Sequence, residues 1–205
     1  MSPAWTVRRP MVWILLVVNI LFFGVILYLA PRTILRSRVP SAPSTLPILA
    51  TAAPFELIRE SGENFSSGEL RGHLWIANFI FTRCPHQCPA MSFRFSALQK
   101  ILPPGVRLVS FSVDPEYDSP NRLAEYAERF QADPKKWIFL TGNLGVIRRI
   151  QADLHLIKPG EQDPGLHSLR FVLMDGEGNA RGYYDSEESA SLEMIIKDLK
   201  KMETS

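Results

Sequence analysis

The chain has 205 residues, 46% of them hydrophobic and 21% charged, with a formal net charge of +2. That charge is too small to point to nucleic acid or to an acidic substrate. Two cysteines in this length exclude a disulfide-stapled scaffold and a four-cysteine zinc site, and there is no Gly-rich phosphate loop, H-E-x-x-H or G-x-S-x-G run.

Met11 to Ala30 is an uncharged run of 20 residues, with Asn19 its one clearly polar member. At 1.5 Å per residue it reaches about 30 Å, the thickness of a bilayer hydrocarbon core. Trp5, Trp13 and Tyr28 lie towards its ends, where interfacial aromatics sit. The run is long for a cleaved signal peptide, and Tyr28-Leu29-Ala30 lacks the small residue two places before a cut. It is therefore read as an uncleaved transmembrane anchor over 11–30, behind a tail over 1–10. Arg8 and Arg9 precede it and Arg32, Arg36 and Arg38 follow, so charge alone does not favour a cytoplasmic N-terminus. Residues 31–53 are rich in Pro, Ser and Ala without periodicity and read as an extended tether. Residues 54–205 are long enough for one domain with its own core.

Within that domain, Phe55-Glu-Leu-Ile predicts a short strand, and Ser61 to Asn64 a turn. Gly68 to Gly72 leads into a strand over Leu74 to Phe81, apolar at nearly every position as a strand covered on both faces should be. Met91, Phe95, Leu98 and Leu102 recur at helical spacing until Pro103-Pro104-Gly105 stops them. Val106 to Val113 is a second buried strand, ending in Asp114-Pro115. Ser119-Pro120 starts a helix with Ser at the cap and Pro at the first position, its apolar face Leu123, Tyr126, Ala127 and Phe130. Trp137 to Leu140 is a strand, and Thr141-Gly142-Asn143 opens a helix with Leu144, Ile147, Ile150 and Leu154 on one face. A polar loop over 158–166 precedes a strand from Leu169 to Met174. Asp175-Gly-Glu-Gly178 is a hairpin turn, Arg181 to Tyr184 the return strand, and Leu192, Ile195, Ile196 and Leu199 mark a last helix. Strands alternating with helices, then a hairpin and helix, predict a thioredoxin-like α/β fold: a mixed sheet flanked by helices, preceded by one N-terminal transmembrane helix.

Both cysteines fall in Phe79-Ile-Phe-Thr-Arg-Cys-Pro-His-Gln-Cys-Pro89, at the turn between the first core strand and the helix after it. If the chain is helical from about Pro85, Cys84 and Cys88 share a face. The partial positive charge and free N–H groups of a helix N-terminus lower a nearby thiol's pKa. Such a pair can form a stabilising disulfide, exchange one with a partner, or hold a soft metal. The loop a disulfide would close is short, so its entropic contribution is small.

Of the four histidines, His73 follows a turn glycine, His155 ends an amphipathic helix, and His86 sits between the cysteines where a tight turn aims it at solvent. His167 stands directly before a core strand whose start, in a thioredoxin-like sheet, faces the cysteine turn. Two thiolates and one imidazole make a soft site of low coordination number that suits copper. Structural zinc takes a fourth protein ligand. Asp114 is either a strand-end turn residue or a neighbour of this site.

These residues resemble the Sco/SenC family, membrane-anchored copper proteins with a thioredoxin-like fold that act in cytochrome c oxidase assembly. The likeness spans roughly Phe55 to Tyr184. It rests on F-x-x-T-R-C-P-x-x-C-P (Phe79 to Pro89), Ser112-Val-Asp-Pro-Glu-Tyr-Asp-Ser-Pro120, Trp137 with Leu140-Thr-Gly142, and His167-Ser168 before the strand that ends Met174-Asp175. The resemblance implies that Cys84, Cys88 and His167 are ligands of Cu(I) or Cu(II), and that Cys84 and Cys88 form a redox-active disulfide. It implies a partner in the copper-site subunit of the oxidase, with other copper chaperones or thiol reductases. It also places the domain in the bacterial periplasm, or in the intermembrane space if mitochondrial. The short N-terminus, without an Arg/Ser-rich presequence, points to a bacterial inner membrane. Two positions depart from the family pattern: His86 where an acidic residue is frequent, and Leu166 where Asp commonly precedes the ligand histidine. The second removes a carboxylate able to orient the imidazole, which bears on affinity more than on ligand identity.

Three functions compete. The first is a copper-binding assembly factor that is not a turnover enzyme. The second is a thiol-disulfide oxidoreductase using Cys84 and Cys88 without metal. The third is a peroxidase-like member of the superfamily, for which Thr82 and Arg83 are the only nearby partners. The C-x-x-x-C spacing, and the absence of a proline just before Leu169, favour the first over the second.

Overall fold

The computed structural model describes residues 46–157 and 169–203, together with the single position Asn19. The expected anchor over 11–30 and most of the tether lie outside the described residues. Among the described residues, no helix is long and apolar enough to cross a membrane.

In chain order the elements are β1 (Ala50–Thr51), β2 (Glu56–Arg59), β3 (Asn64–Ser66), a 3₁₀ turn (Ser67–Leu70), β4 (Trp75–Ile80) and α1 (Gln87–Ile101). They continue with β5 (Arg107–Ser112), α2 (Pro120–Arg129), β6 (Trp137–Thr141), α3 (Leu144–Asp153), β7 (Arg170–Met174), β8 (Asn179–Asp185) and α4 (Ser191–Glu203). The strands form one sheet in the order β1-β8-β7-β4-β5-β6-β2-β3. The centre, β4-β5-β6, is parallel, and the remaining pairs are antiparallel. This is the mixed, thioredoxin-like sheet that the order of elements predicts.

Period-two alternation sends successive side chains of the central strands to opposite faces. Ala77, Phe79, Val109, Phe111, Ile138 and Leu140 pack on one face, under Ile147 and Ile150 of α3 and Leu154 at its C-cap. Ile76, Ile80, Leu108, Trp137 and Phe139 pack on the other, under Phe95 and Leu98 of α1, Leu123 and Tyr126 of α2, and Ile195 and Leu199 of α4. Both faces are covered, which is why these strands read as near-continuous apolar runs. Cys84 and Cys88 belong to the second cluster.

Two local readings change. Asn64, expected to close a turn, instead opens β3 with Phe65 and Ser66, which pairs with β2. Only Phe65 of the three is buried, so a single apolar residue carries the strand and no periodicity signals it. Ser66 then caps the 3₁₀ turn in a reciprocal capping box with Glu69. Finally β1, inside the stretch expected to be tether, pairs with β8. The Arg181 guanidinium donates to the Leu46 carbonyl at 2.7 Å, so the sheet recruits chain N-terminal to Pro54.

Candidate metal and redox site

The site is built where β4 ends. β4 and β5 run parallel, with Ile80 opposite Ser112, so both deliver their C-terminal ends to one edge of the sheet, the usual place for function in open α/β sheets. β7 runs antiparallel to β4, with Ala77 opposite Val172, so β7 starts at this same edge. His167, the third expected ligand, lies outside the described residues. Among the described residues, no group of three or more His, Cys, Asp or Glu side chains gathers as a metal cluster.

The cysteine turn is not helical from Pro85. α1 begins at Gln87 and His86 occupies the cap position without a side-chain capping bond. Pro89 sits in the first helical turn, where a missing N–H costs nothing. Cys84 therefore precedes the helix rather than sharing a helical face with Cys88. The loop instead folds its sulfur over the helix start, where Cys84 Sγ accepts the Cys88 N–H at 3.3 Å. A first-turn N–H that has no acceptor within the helix is satisfied by sulfur.

Both cysteines are reduced and buried, and they hydrogen-bond to each other. Their environments diverge. Burial pushes the Cys84 thiol up, but the N–H groups of Cys88, His86 and Gln87, with the Cys88 side chain, outweigh it and hold its pKa below the ordinary thiol value. Burial dominates at Cys88 and drives its pKa far up. The Phe81 N–H, donated to Cys88 Sγ at 3.4 Å, offsets part of this. The negative charges of Cys84 and Asp118 add to the upward shift. The expected pair of easily ionised sulfurs is thus one such sulfur and one protonated thiol.

Asp118 is the residue the sequence reading missed. It is fully buried and accepts from the Thr82 N–H at 3.0 Å and from the Ser112 hydroxyl at 2.5 Å. Asp114, the carboxylate singled out from the sequence, instead takes the Arg83 Nε–H at 2.6 Å. Asp118 lies four residues beyond Asp114, across a turn in which its N–H donates to the Asp114 carbonyl at 2.8 Å. Thr82 and Arg83, the peroxidase-type candidates, have their side chains engaged by Asp118 and Asp114 respectively.

His86 and His155 fall as expected, whereas His73, expected to be exposed, is half-buried. His86 is exposed. His73 contacts Arg107 at 3.2 Å, at the opposite end of β4 from the cysteines. His155 has a φ of 54° and terminates α3 in the left-handed cap position. A cavity of about 550 Å³ lined by Phe55, Leu70 and Trp75 also lies at that far end. Beside the cysteine turn there is a smaller one of about 150 Å³, lined by Thr82, Tyr117, Arg122 and Tyr126.

The family model for SCO1/SenC matches residues 45–204. The chain belongs to the SCO1/SenC family. The SCO1 protein homolog of Bacillus subtilis (strain 168) is 33% identical over 167 residues, covering 77% of this chain and 86% of the relative. Among solved structures, BsSco is described as a member of the Sco family of cytochrome c oxidase assembly proteins with a disulfide switch. It superposes with a TM-score of 0.68 at 32% identity, covering 78% of this chain and 98% of its own. Arabidopsis thaliana ScoI, solved with copper bound, superposes with a TM-score of 0.61 at 27% identity, covering 76% of this chain and all of its own.

Proposed function

We propose that the chain is a membrane-anchored copper-binding protein that delivers copper to, or maintains the thiols of, the binuclear copper site of cytochrome c oxidase. The observation that carries this reading is the pair of reduced, buried, mutually hydrogen-bonded thiols at the C-terminal end of β4. Soft sulfur donors held together in an apolar cluster suit Cu(I). His167 is the third ligand in this reading. It precedes Arg170, the first residue of β7, by three positions, and β7 begins at the cysteine edge of the sheet. The copper held by Arabidopsis ScoI and the oxidase-assembly role of BsSco's family support the assignment.

Copper here is cargo. Cys84 and Cys88 lose their protons when they bind it, and it passes on by ligand exchange with a partner's cysteines. Thiol–disulfide exchange with a partner's disulfide forms the Cys84–Cys88 disulfide, passes two electrons and two protons to the partner, which leaves as a dithiol, and leaves no thiolate to hold the metal. Occupancy and redox state are therefore coupled, and one domain serves both roles without being a turnover enzyme. The anchor over 11–30 ties the domain to the bacterial inner membrane with its face in the periplasm. A metal-free thiol-disulfide oxidoreductase is the second reading. It is favoured by the split between an ionisable Cys84 and a protonated Cys88, which suits one sulfur to attack and the other to resolve.

Copper titration of the reduced full chain against a competing chelator tests this. One tight equivalent is expected, abolished in Cys84→Ser and Cys88→Ser. In His167→Ala it weakens by at least about tenfold, since even outer-shell partners of a metal ligand are worth about 10- to 100-fold, with Cu(II) affected more than Cu(I). Full-affinity binding by His167→Ala sinks the three-ligand site, and no binding by the wild type leaves the redox reading.

A further inference from the structure

The peptide joining Phe81 to Thr82 is where the cysteine turn is anchored. Its carbonyl accepts the Cys84 N–H at 3.2 Å. On the preceding peptide, the Phe81 N–H donates to Cys88 Sγ at 3.4 Å. Both cysteines thus hang on the backbone of Phe81. The N–H of the same Phe81–Thr82 peptide donates to Asp118 Oδ2 at 3.0 Å. The Thr82 hydroxyl donates to Asp118 Oδ1 at 2.5 Å, and the Ser112 hydroxyl, at the end of β5, donates to Oδ2 at 2.5 Å.

Asp118 has no solvent exposure, and none of the ion pairs among the described residues includes it. A buried carboxylate without a cation is costly unless donors fill its lone pairs. Here three neutral donors from two strand ends do so. A planar peptide held at both its N–H and its C=O has no freedom to turn, so the carboxylate fixes the peptide that holds Cys84 and, through it, the Phe81 residue whose own N–H holds Cys88.

We propose that Asp118 is a positioning residue for the Cys84–Cys88 pair, acting through the Phe81–Thr82 peptide and braced by Thr82 and Ser112. The proposal rests on the reading above only in taking Cys84 and Cys88 as the working pair. N–H donors to sulfur favour the electron-rich reduced form. Releasing the Phe81–Thr82 peptide frees Phe81, whose own N–H is the donor to Cys88 Sγ, so that donation weakens and the pair becomes easier to oxidise.

The test equilibrates the metal-free full chain, kept with a chelator, in buffers of reduced and oxidised dithiothreitol. Each protein disulfide formed passes two electrons and two protons to the oxidised reagent. Asp118→Ala is expected to shift the equilibrium towards the disulfide by about tenfold, which is about 30 mV for this couple. Asp118→Asn is expected to rescue it to within about threefold. Its amide oxygen takes the Thr82 N–H and the Ser112 hydroxyl, while its NH₂ donates to the Thr82 hydroxyl. Near-UV circular dichroism checks the fold. An unchanged equilibrium in folded Asp118→Ala overturns the proposal. So does a shift in Asp118→Asn as large as in Asp118→Ala, which assigns the effect to charge. If Asp118→Ala does not fold, Thr82→Val decides: a shift of about threefold in the same direction is expected for one lost hydroxyl contact, and no shift overturns the proposal. Copper titration reads separately. A wild type that binds no copper, while Asp118→Ala shifts the couple, removes copper from the reading above and leaves the positioning role standing.

Discussion

Cys84 and Cys88 sit in one turn, yet Cys84 takes its hydrogen bonds from a helix start and Cys88 takes its from a strand end. The two titrate in opposite senses. Burial first, then the negative charges of Cys84 and Asp118, push the Cys88 thiol up in the folded protein. In the unfolded chain it returns to about 8.5. Above that pH the unfolded chain binds fewer protons than the folded one, so stability falls as pH rises. Cys84, held down in the fold, contributes the other way: its share is present above the ordinary thiol value and is lost as pH falls through its folded value. Metal-free reduced protein is therefore expected to lose up to about 1.4 kcal/mol per pH unit above about pH 8.5 through Cys88. Cys88→Ala is expected to lack that slope. Urea midpoints at about pH 7.5 and about pH 9.5 decide it, and equal slopes in the two proteins refute the assignment. This opposition could not be read from C-x-x-x-C, because spacing does not say which sulfur lies over the helix start.

At the scale of elements, the turns at the far end of the sheet interlock as closely as the cysteine end does. The β7–β8 turn meets the turn before β4, where the Gly72 N–H donates to the Gly176 carbonyl at 3.0 Å. A Cβ on Gly176 would stand 2.6 Å from the Gly72 nitrogen. Both partners are backbone, so neither can swing aside as a flexible side chain would. Gly176→Ala is expected to destabilise by about 1–3 kcal/mol, as overpacking does, measured by urea denaturation; an effect below about 0.5 kcal/mol would refute the close approach. Near-continuous apolar runs made β4, β5 and β6 legible, and apolar residues at helical spacing made the four helices legible. The helix start at Gln87 was not, because a proline is tolerated at several places in a first turn. Nor was β3, whose two exposed positions leave Phe65 alone to signal it.

At the scale of the whole molecule, the domain does not begin where composition changes. Residues 46–53 carry the β1–β8 pairing, the bond of Arg181 to Leu46, and a bond from the Ala53 N–H to Asp153 at 3.1 Å. Net hydrogen bonds are worth about 1 kcal/mol each, set against the entropy of ordering the segment. A chain beginning at residue 46 is therefore expected to be more stable than one beginning at residue 54, by on the order of 1–2 kcal/mol. Equal urea midpoints for the two would show that the segment rests on the sheet without stabilising it.

The sequence by itself determined the thioredoxin-like order of strands and helices, the cysteine turn at the end of a buried strand, and the family likeness. All three rest on local patterns: apolar periodicity, turn residues and a contiguous motif. Only the tertiary structure decided which carboxylate lies under the turn, which thiol ionises, and where the sheet's edge ends. Each of these depends on groups distant in sequence meeting across the fold. Asp118 reaches Thr82 across 36 positions, and β1 meets β8 across more than 120. A buried charge or an edge strand has no local pattern to announce it, because its energy is set by partners that only the closed sheet brings within reach.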